Sequence, residues 1–499
     1  LIGAGGDPRG PVVGIGGGGG LDPGGANVSP SARAGRLTRM QRMSPQDASF
    51  LHIETPDVHM HIGSLLVFQG PPPSGEEITA HVAGKLPLVP RYRQRALPVP
   101  LELGRPVWVD DPHFNLDYHV RQTAIPRPGS VEQLRRLVGR VMSQQLDHSK
   151  PLWEMWIVEG LEDDHWGIIN KIHHSVVDGV SGTDLTTLLL DREPEPGPAT
   201  PDDWHPEPVP SPARLAAGAI ADRLTSPYEA IRGIRSAVLR PRRFLGTVAT
   251  TARGSLALAG LARPGPTTSV TGPIGPHRRW TVARASLADC KTIRGALGGT
   301  VNDVVLTAVA GGFRELLAGR GELRDDLRLR CLVPVSVRRP GSQISYENRV
   351  SAMFAELPVG VDDPVQRHAE IREQMRGLKD SGQAVAGEVL TSLAGFAPPL
   401  LLALGTRAAA RVPQRAVATV ATNVPGPTST YYWRGRRLLD LMPFVPLGGD
   451  VRIGCAIMSY AGTMSIGITG DLETTADLDL VPRGIEDTIA RLLKAASGR

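Results

Sequence analysis

Apolar residues at 131, 134, 137, 138, 141 and 142 recur every three to four positions, which predicts an amphipathic helix over 131–145. A shorter helix is expected at 76–83, and 62–68 reads as a strand. The runs 153–158 and 166–172 are apolar and flank the polar turn Glu162-Asp163-Asp164, the pattern of a hairpin. Ser44-Pro45 marks a helix start, with Ser44 as cap and Pro45 in the first turn. Further on, helices are predicted at 183–190, 286–297, 302–317 and 483–496. Strands are predicted at 327–337, 349–356, 451–459 and 463–469.

Two breaks interrupt this alternation. Residues 192–213 carry a proline at nearly every third position and cannot hold a regular element, and a second Pro/Gly-rich stretch covers 264–277. Between them, 214–262 reads as basic Ala/Leu-rich helices interrupted near Pro227 and Pro241. At 499 residues the chain exceeds the size at which one core usually stops growing. Helices and strands on both sides of the linker argue for two α/β layers docked together. The expected organisation is a leader (1–39), a first domain (40–195), a linker with basic helices (196–275) and a second domain (276–499). The leader is low in complexity, with glycine at 16–20, and disorder is the expectation. Folding is expected to start near Met40 or Met43, and the leader reads as an upstream translation artefact.

Composition narrows the class. With 41% hydrophobic and 21% charged residues the chain reads as a globular protein, and its net charge of +5 is small. No basic stripe with interleaved aromatics is visible, so no nucleic acid is expected; an anionic membrane surface or the phosphates of a cofactor fit better. Cys290, Cys331 and Cys455 are far apart and lack metal-ligand spacing, so neither a disulfide framework nor a zinc site is expected. The longest apolar window, 389–404, is broken by Pro398 and Pro399 and falls short of the roughly 20 residues of a spanning helix. With no secretory signal in view, a cytoplasmic location is expected, with peripheral contact to the inner membrane or lipid bodies.

The sharpest chemical feature is His173-His174-Ser175-Val176-Val177-Asp178-Gly179, directly after an apolar strand. A lone histidine is more often a satisfied core residue. Two histidines followed by Asp-Gly at a strand end, where loops display reacting groups, reverse that preference. A neutral imidazole near its ordinary pKa of about 6.5 suits removal of a proton from an alcohol. Adjacent residues of an extended segment point to opposite sides, so one histidine faces the reaction and the other packs inside. Asp178 orients the local backbone or pairs with an arginine. The residues alone do not say which histidine works.

With these residues in view, the sequence resembles the bacterial wax ester synthase/acyl-CoA:diacylglycerol acyltransferases, within the CoA-dependent acyltransferases that include chloramphenicol acetyltransferase and peptide-synthetase condensation domains. His173 to Gly179 match HHxxxDG, and Pro151-Leu152-Trp153-Glu154 match PLWE. Asn302-Asp303 match the ND motif, and Asn423-Val424-Pro425-Gly426-Pro427 match NVPGP. The resemblance runs from about Met43 to the C-terminus.

It implies two chloramphenicol-acetyltransferase-like domains, with mixed sheets flanked by helices, around a tunnel. It also implies His174 as general base, supported by His173, Asp178 and Asn302, with Gly179, Asp303, Asn423 and Arg338 near the substrates. The reaction implied is transfer of a fatty acyl group from acyl-CoA to diacylglycerol or a long-chain alcohol, without metal or cofactor.

Plainer roles stand beside these. Trp153 packs. Asn302 sits where an N-cap belongs, which is compatible with an oxyanion donor. Asn423 shapes a loop. Arg338 reads equally as a solvated strand-end residue or as a partner for a carboxylate or CoA phosphate. Two rivals remain: a condensation-type or polyketide-associated enzyme fed by a carrier-protein thioester, and an inactive lipid-binding homologue. The acceptor, the acyl length and the oligomeric state are open.

Overall fold

A computed structural model describes residues 41–177, 189–197, 200–222, 265–336, 350–380 and 416–498. The leader, the predicted helix at 183–188, most of 214–262 and the apolar window 389–404 lie outside the described residues, as do Asp178, Gly179 and Arg338.

The first part of the chain runs α1 (Pro45–Ile53), β1 (His61–Phe68), α2 (Gly75–Lys85), β2 (Gln94–Leu97), β3 (Val107–Asp110), α3 (Leu116–His119), β4 (Val120–Ala124), α4 (Val131–Met142), β5 (Trp153–Glu159) and β6 (Trp166–His173). After the proline-rich segment come β7 (Arg278–Ser286), α5 (Leu287–Leu297), α6 (Val301–Gly319), β8 (Leu329–Ser336), β9 (Val350–Leu357) and α7 (Pro364–Asp380). The chain ends with β10 (Thr419–Val424), β11 (Tyr432–Trp433), β12 (Arg436–Phe444), β13 (Ile453–Tyr460), β14 (Thr463–Asp471) and α8 (Leu480–Ser497).

The predicted start signal at Ser44 acts as expected, and two further caps appear. Ser44 accepts the Asp47 N–H at the start of α1, with Pro45 in the first turn. Ser74 and Glu77 form a capping box on α2, as do Ser130 and Gln133 on α4. The hairpin is also observed: β5 and β6 pair antiparallel, with Asp163 and Asp164 at positive φ in the turn.

Among the described residues two mixed six-stranded sheets result, beside the two-stranded pair β2-β3. The first has the order β11-β12-β1-β6-β5-β4 and the second β7-β14-β13-β10-β8-β9. The division at 276 therefore does not sort the strands: β11 and β12, from the C-terminal half, complete the first sheet, where β12 pairs with β1. The pattern Arg436-Arg437-Leu438-Leu439-Asp440-Leu441-Met442-Pro443-Phe444 did not announce this strand, because its two leading arginines and its proline obscure the alternation. Strand β7, at the start of the predicted second domain, was likewise not predicted.

Among the described residues three apolar clusters organise the packing. One surrounds α6, from Val304 to Leu317, between the second sheet and α8. Another lies under α1 and α2 on the first sheet and includes Phe68, Trp153 and Trp433. The third joins the halves: Leu134, Leu137, Val138 and Val141 of α4 meet Trp280 and Val282 of β7 and Phe444 of β12. At about 1.5–3 kcal/mol for each fully buried large apolar side chain, this cluster ties the halves strongly. The three cysteines are free and buried, as their sequence context suggested. Among the described residues no single helix is long and apolar enough to cross a membrane.

Candidate active site

The histidine turn begins where β6 ends, beside β1 at the middle of the first sheet. His173 is the last residue of β6, and His174 opens a short 3-10 turn, His174–Val176. Its backbone is fixed on two sides: the His173 N–H donates to the Leu152 carbonyl at 2.9 Å and the His174 N–H to the Met60 carbonyl at 2.8 Å. The PLWE segment thus supports the turn through its leucine. Trp153 is fully buried between the rings of Tyr92 and His119 and donates Nε1–H to the Tyr92 carbonyl at 2.8 Å. Its role is packing, as read from the sequence.

The two histidines have different surroundings. His173 is fully buried; its Nδ1 accepts the Ser175 N–H at 3.1 Å and lies 2.6 Å from Ser175 Oγ. A ring that accepts at Nδ1 carries its neutral-state proton on Nε2, the atom 3.4 Å from Glu54 Oε1. Burial lowers the pKa of His173, with Glu54 pulling the other way.

His174 is half-buried, and its ring stacks on Phe50 of α1 with centroids 4.2 Å apart. Burial lowers its pKa to about 4, with its own backbone pulling weakly the other way. Its Nδ1 is buried and makes no hydrogen bond among the described residues. The ordinary value near 6.5 is therefore replaced by a lower one, because the sequence could not show how closely α1 covers this ring.

Sequence reasoning missed three residues here. Glu54 and Phe50 belong to α1 and its end, and His148 lies on the loop before β5. Glu54 accepts the Met60 N–H at 2.6 Å, His148 Nε2 at 2.6 Å and the Gln145 side-chain amide at 3.3 Å. Burial alone raises a carboxyl. Here the bonds from His148 and Met60, with His173 close by, outweigh it and hold Glu54 well below the usual carboxylate range. One signal emerges once the end of α1 is known: a glutamate at a helix C-terminal end opposes the helix dipole, which suggests that it serves something else.

Residues 43–305 match the model of the wax ester synthase/diacylglycerol acyltransferase catalytic domain, and residues 346–493 match the C-terminal domain of the same family. The chain belongs to the wax ester synthase/diacylglycerol acyltransferase family. It is an acyltransferase, as the motifs led one to expect.

Within that family it is 36% identical over 462 residues to the probable diacylglycerol O-acyltransferase tgs1 of Mycobacterium tuberculosis, covering 92% of this chain and 97% of the relative. A Mycobacterium bovis counterpart matches to the same extent. The solved wax ester synthase/diacylglycerol acyltransferase of Marinobacter aquaeolei superposes with a TM-score of 0.64 at 25% identity, covering 92% of this chain and all of that one. A condensation domain of the calcium-dependent antibiotic synthetase shares the fold, with a TM-score of 0.56 at 16% identity over 92% of this chain and 97% of that one.

The family's two C-terminal motifs meet where the start of α6 lies against β10 of the second sheet. Asn423, near the end of β10, donates its side-chain N–H to Asn302 Oδ1 at 3.1 Å. The cap of α6 is Thr300 rather than Asn302: the Thr300 hydroxyl accepts the Asp303 N–H, and Asp303 Oδ2 accepts the Thr300 N–H at 2.7 Å. Asp303 is buried and closes this capping box. Asn302, one residue inside the helix, is thereby free of capping. Gly426 sits so tightly against β13 that a Cβ there would lie 2.0 Å from the Ser459 carbonyl oxygen, which explains the glycine of NVPGP.

Proposed function

We propose that this acyltransferase moves a fatty acyl group from acyl-CoA to diacylglycerol, with a long-chain alcohol as a second acceptor, using His174 as general base. The observation that carries this reading is the state of His174. Its ring is kept neutral by burial and is stacked on Phe50. A neutral imidazole keeps one ring-nitrogen lone pair with which to accept a proton.

The acceptor hydroxyl gives its proton to that nitrogen as its oxygen forms a bond to the thioester carbonyl carbon. The resulting oxyanion collapses, the C–S bond breaks, and the CoA thiolate takes the proton back from the imidazolium. No acyl-enzyme is required, because holding both substrates supplies the proximity. Asn302 supports this scheme as an amide donor to the oxyanion: with Oδ1 accepting from Asn423, its N–H groups remain to donate.

Diacylglycerol as acceptor is supported by the names of the mycobacterial relatives, and the alcohol by that of the Marinobacter protein. Such acceptors reside in membranes or lipid bodies, and peripheral contact with such a surface belongs to the same proposal. Flotation with anionic liposomes at low salt tests it; protein left at the bottom of the gradient counts against it.

The central test pairs one acyl-CoA with diacylglycerol and with hexadecanol, with products resolved by chromatography, for the native chain and His174→Ala. Loss of ester formation by about 100-fold or more is expected for the variant. Near-native turnover by a folded His174→Ala protein rules out the base.

A further inference from the structure

The cluster at Glu54 contains two features that cost free energy and that folding alone does not require. Its carboxylate is 3% exposed and stands at the C-terminal end of α1, where the helix dipole disfavours negative charge. We propose that Glu54 is a positioning residue for the acyl transfer, fixing the turn that carries His174 through His173 and through Met60.

Two routes lead from this carboxylate to the reacting histidine. Along the first, Oε1 faces Nε2 of His173 at 3.4 Å, and Nδ1 of the same ring accepts the Ser175 N–H, so the ring spans from Glu54 to the residue after His174. Along the second, Oε1 accepts the Met60 N–H at 2.6 Å, and the Met60 carbonyl accepts the His174 N–H at 2.8 Å. One carboxylate thus holds the backbone on both sides of His174. Phe50, one turn earlier on α1, lies against the imidazole face at 4.2 Å. Helix α1 thereby sets both the backbone and the ring plane of the base. His148, whose side chain is 42% exposed, closes the cluster toward solvent at 2.6 Å from Glu54 Oε2.

Glu54, His148 and His173 also place three donor atoms within 4.8 Å of one another, close enough to bracket a divalent cation. The tautomer of His173 argues against that use, because a ring accepting at Nδ1 has its proton, not a lone pair, on Nε2. The positioning role rests on His174 being the base.

The test compares Glu54→Gln and Glu54→Asp with the native chain. Misplacing a catalytic group by about 1 Å costs on the order of 100-fold, so Glu54→Gln should lose about 10- to 100-fold in kcat, while KM for acyl-CoA stays within about two-fold. Glu54→Asp keeps the charge and should recover part of the loss, which a purely structural role would not separate from the amide. If Glu54→Gln does not fold, the kcat and KM of Glu54→Asp decide the matter by the same split. Native kcat in either folded variant overturns the proposal, as does a loss confined to KM. A stoichiometric divalent metal in the purified protein, whose removal reproduces the Glu54→Gln defect, overturns it in favour of ligation. Should His174→Ala retain turnover, the base itself is misassigned, an outcome distinct from any result at Glu54.

Discussion

A general base must be unprotonated when substrate arrives, and burial keeps His174 in that form with a pKa of about 4. The acid limb of kcat/KM should therefore fall near pH 4, well below the value of about 6.5 for a free imidazole. A pH–rate profile from brief assays, with folding followed by tryptophan fluorescence, checks this; a midpoint near 6.5 would mean that the ring is solvated.

Stability carries the same sign. His174 and His119 both have pKa values lowered by burial, each to about 4. Between 6.5 and 4 the unfolded chain binds protons that the folded one excludes. Their contribution is complete above 6.5 and is lost as pH falls toward 4. Urea midpoints measured between pH 7 and pH 5 should decline accordingly.

At the scale of elements, α6 shows how closely the second half is assembled. Gly311 and Gly312 face Gly484, Val481 and Thr488 of α8; a Cβ on Gly312 would lie 2.7 Å from the Val481 carbonyl oxygen. Alanine gains about 1 kcal/mol in helix propensity over glycine, but overpacking typically costs about 1–3 kcal/mol. A rigid backbone carbonyl places this site at the upper end. Gly312→Ala should thus lower stability, a net loss that thermal melting would detect; an unchanged melting temperature would mean that α8 yields freely. Thr300→Ala removes the cap of α6 and should cost about 1 kcal/mol. Because α6 carries Asn302, its activity should fall more than that loss of stability accounts for.

The histidine turn was legible because its parts are neighbours in sequence: an apolar strand, two histidines and a turn. The motif residues Asn302 and Asn423 were legible only through resemblance, and their hydrogen bond not at all, since nothing local links a helix start to a strand end so far downstream. Thr300 took the cap from Asn302 because its extended backbone precedes a complete capping box, a distinction of one residue that propensity does not resolve. Glu54 escaped notice for the same reason of distance, and because the sequence marked where α1 starts but not where it ends.

Across the whole molecule the halves meet where β12 and β14 cross. Gly467 of β14 lies so near β12 that a Cβ would stand 1.8 Å from the Pro443 carbonyl oxygen, which also accepts the Trp280 Nε1–H at 3.1 Å. Gly467→Ala should force the sheets apart and reduce both stability and turnover. Native melting and activity in that variant would show that the junction relaxes.

The lending of β11 and β12 to the first sheet makes the proline-rich segment dispensable as a tether. A protease cut within 192–213 would leave two pieces that copurify and still turn over, because the register between β1 and β12 holds them. The N-terminal piece made alone would bare the edge of β1 and self-associate. Supplying the C-terminal piece in trans should restore a soluble enzyme, so the covalent join matters to synthesis of the protein rather than to its working form.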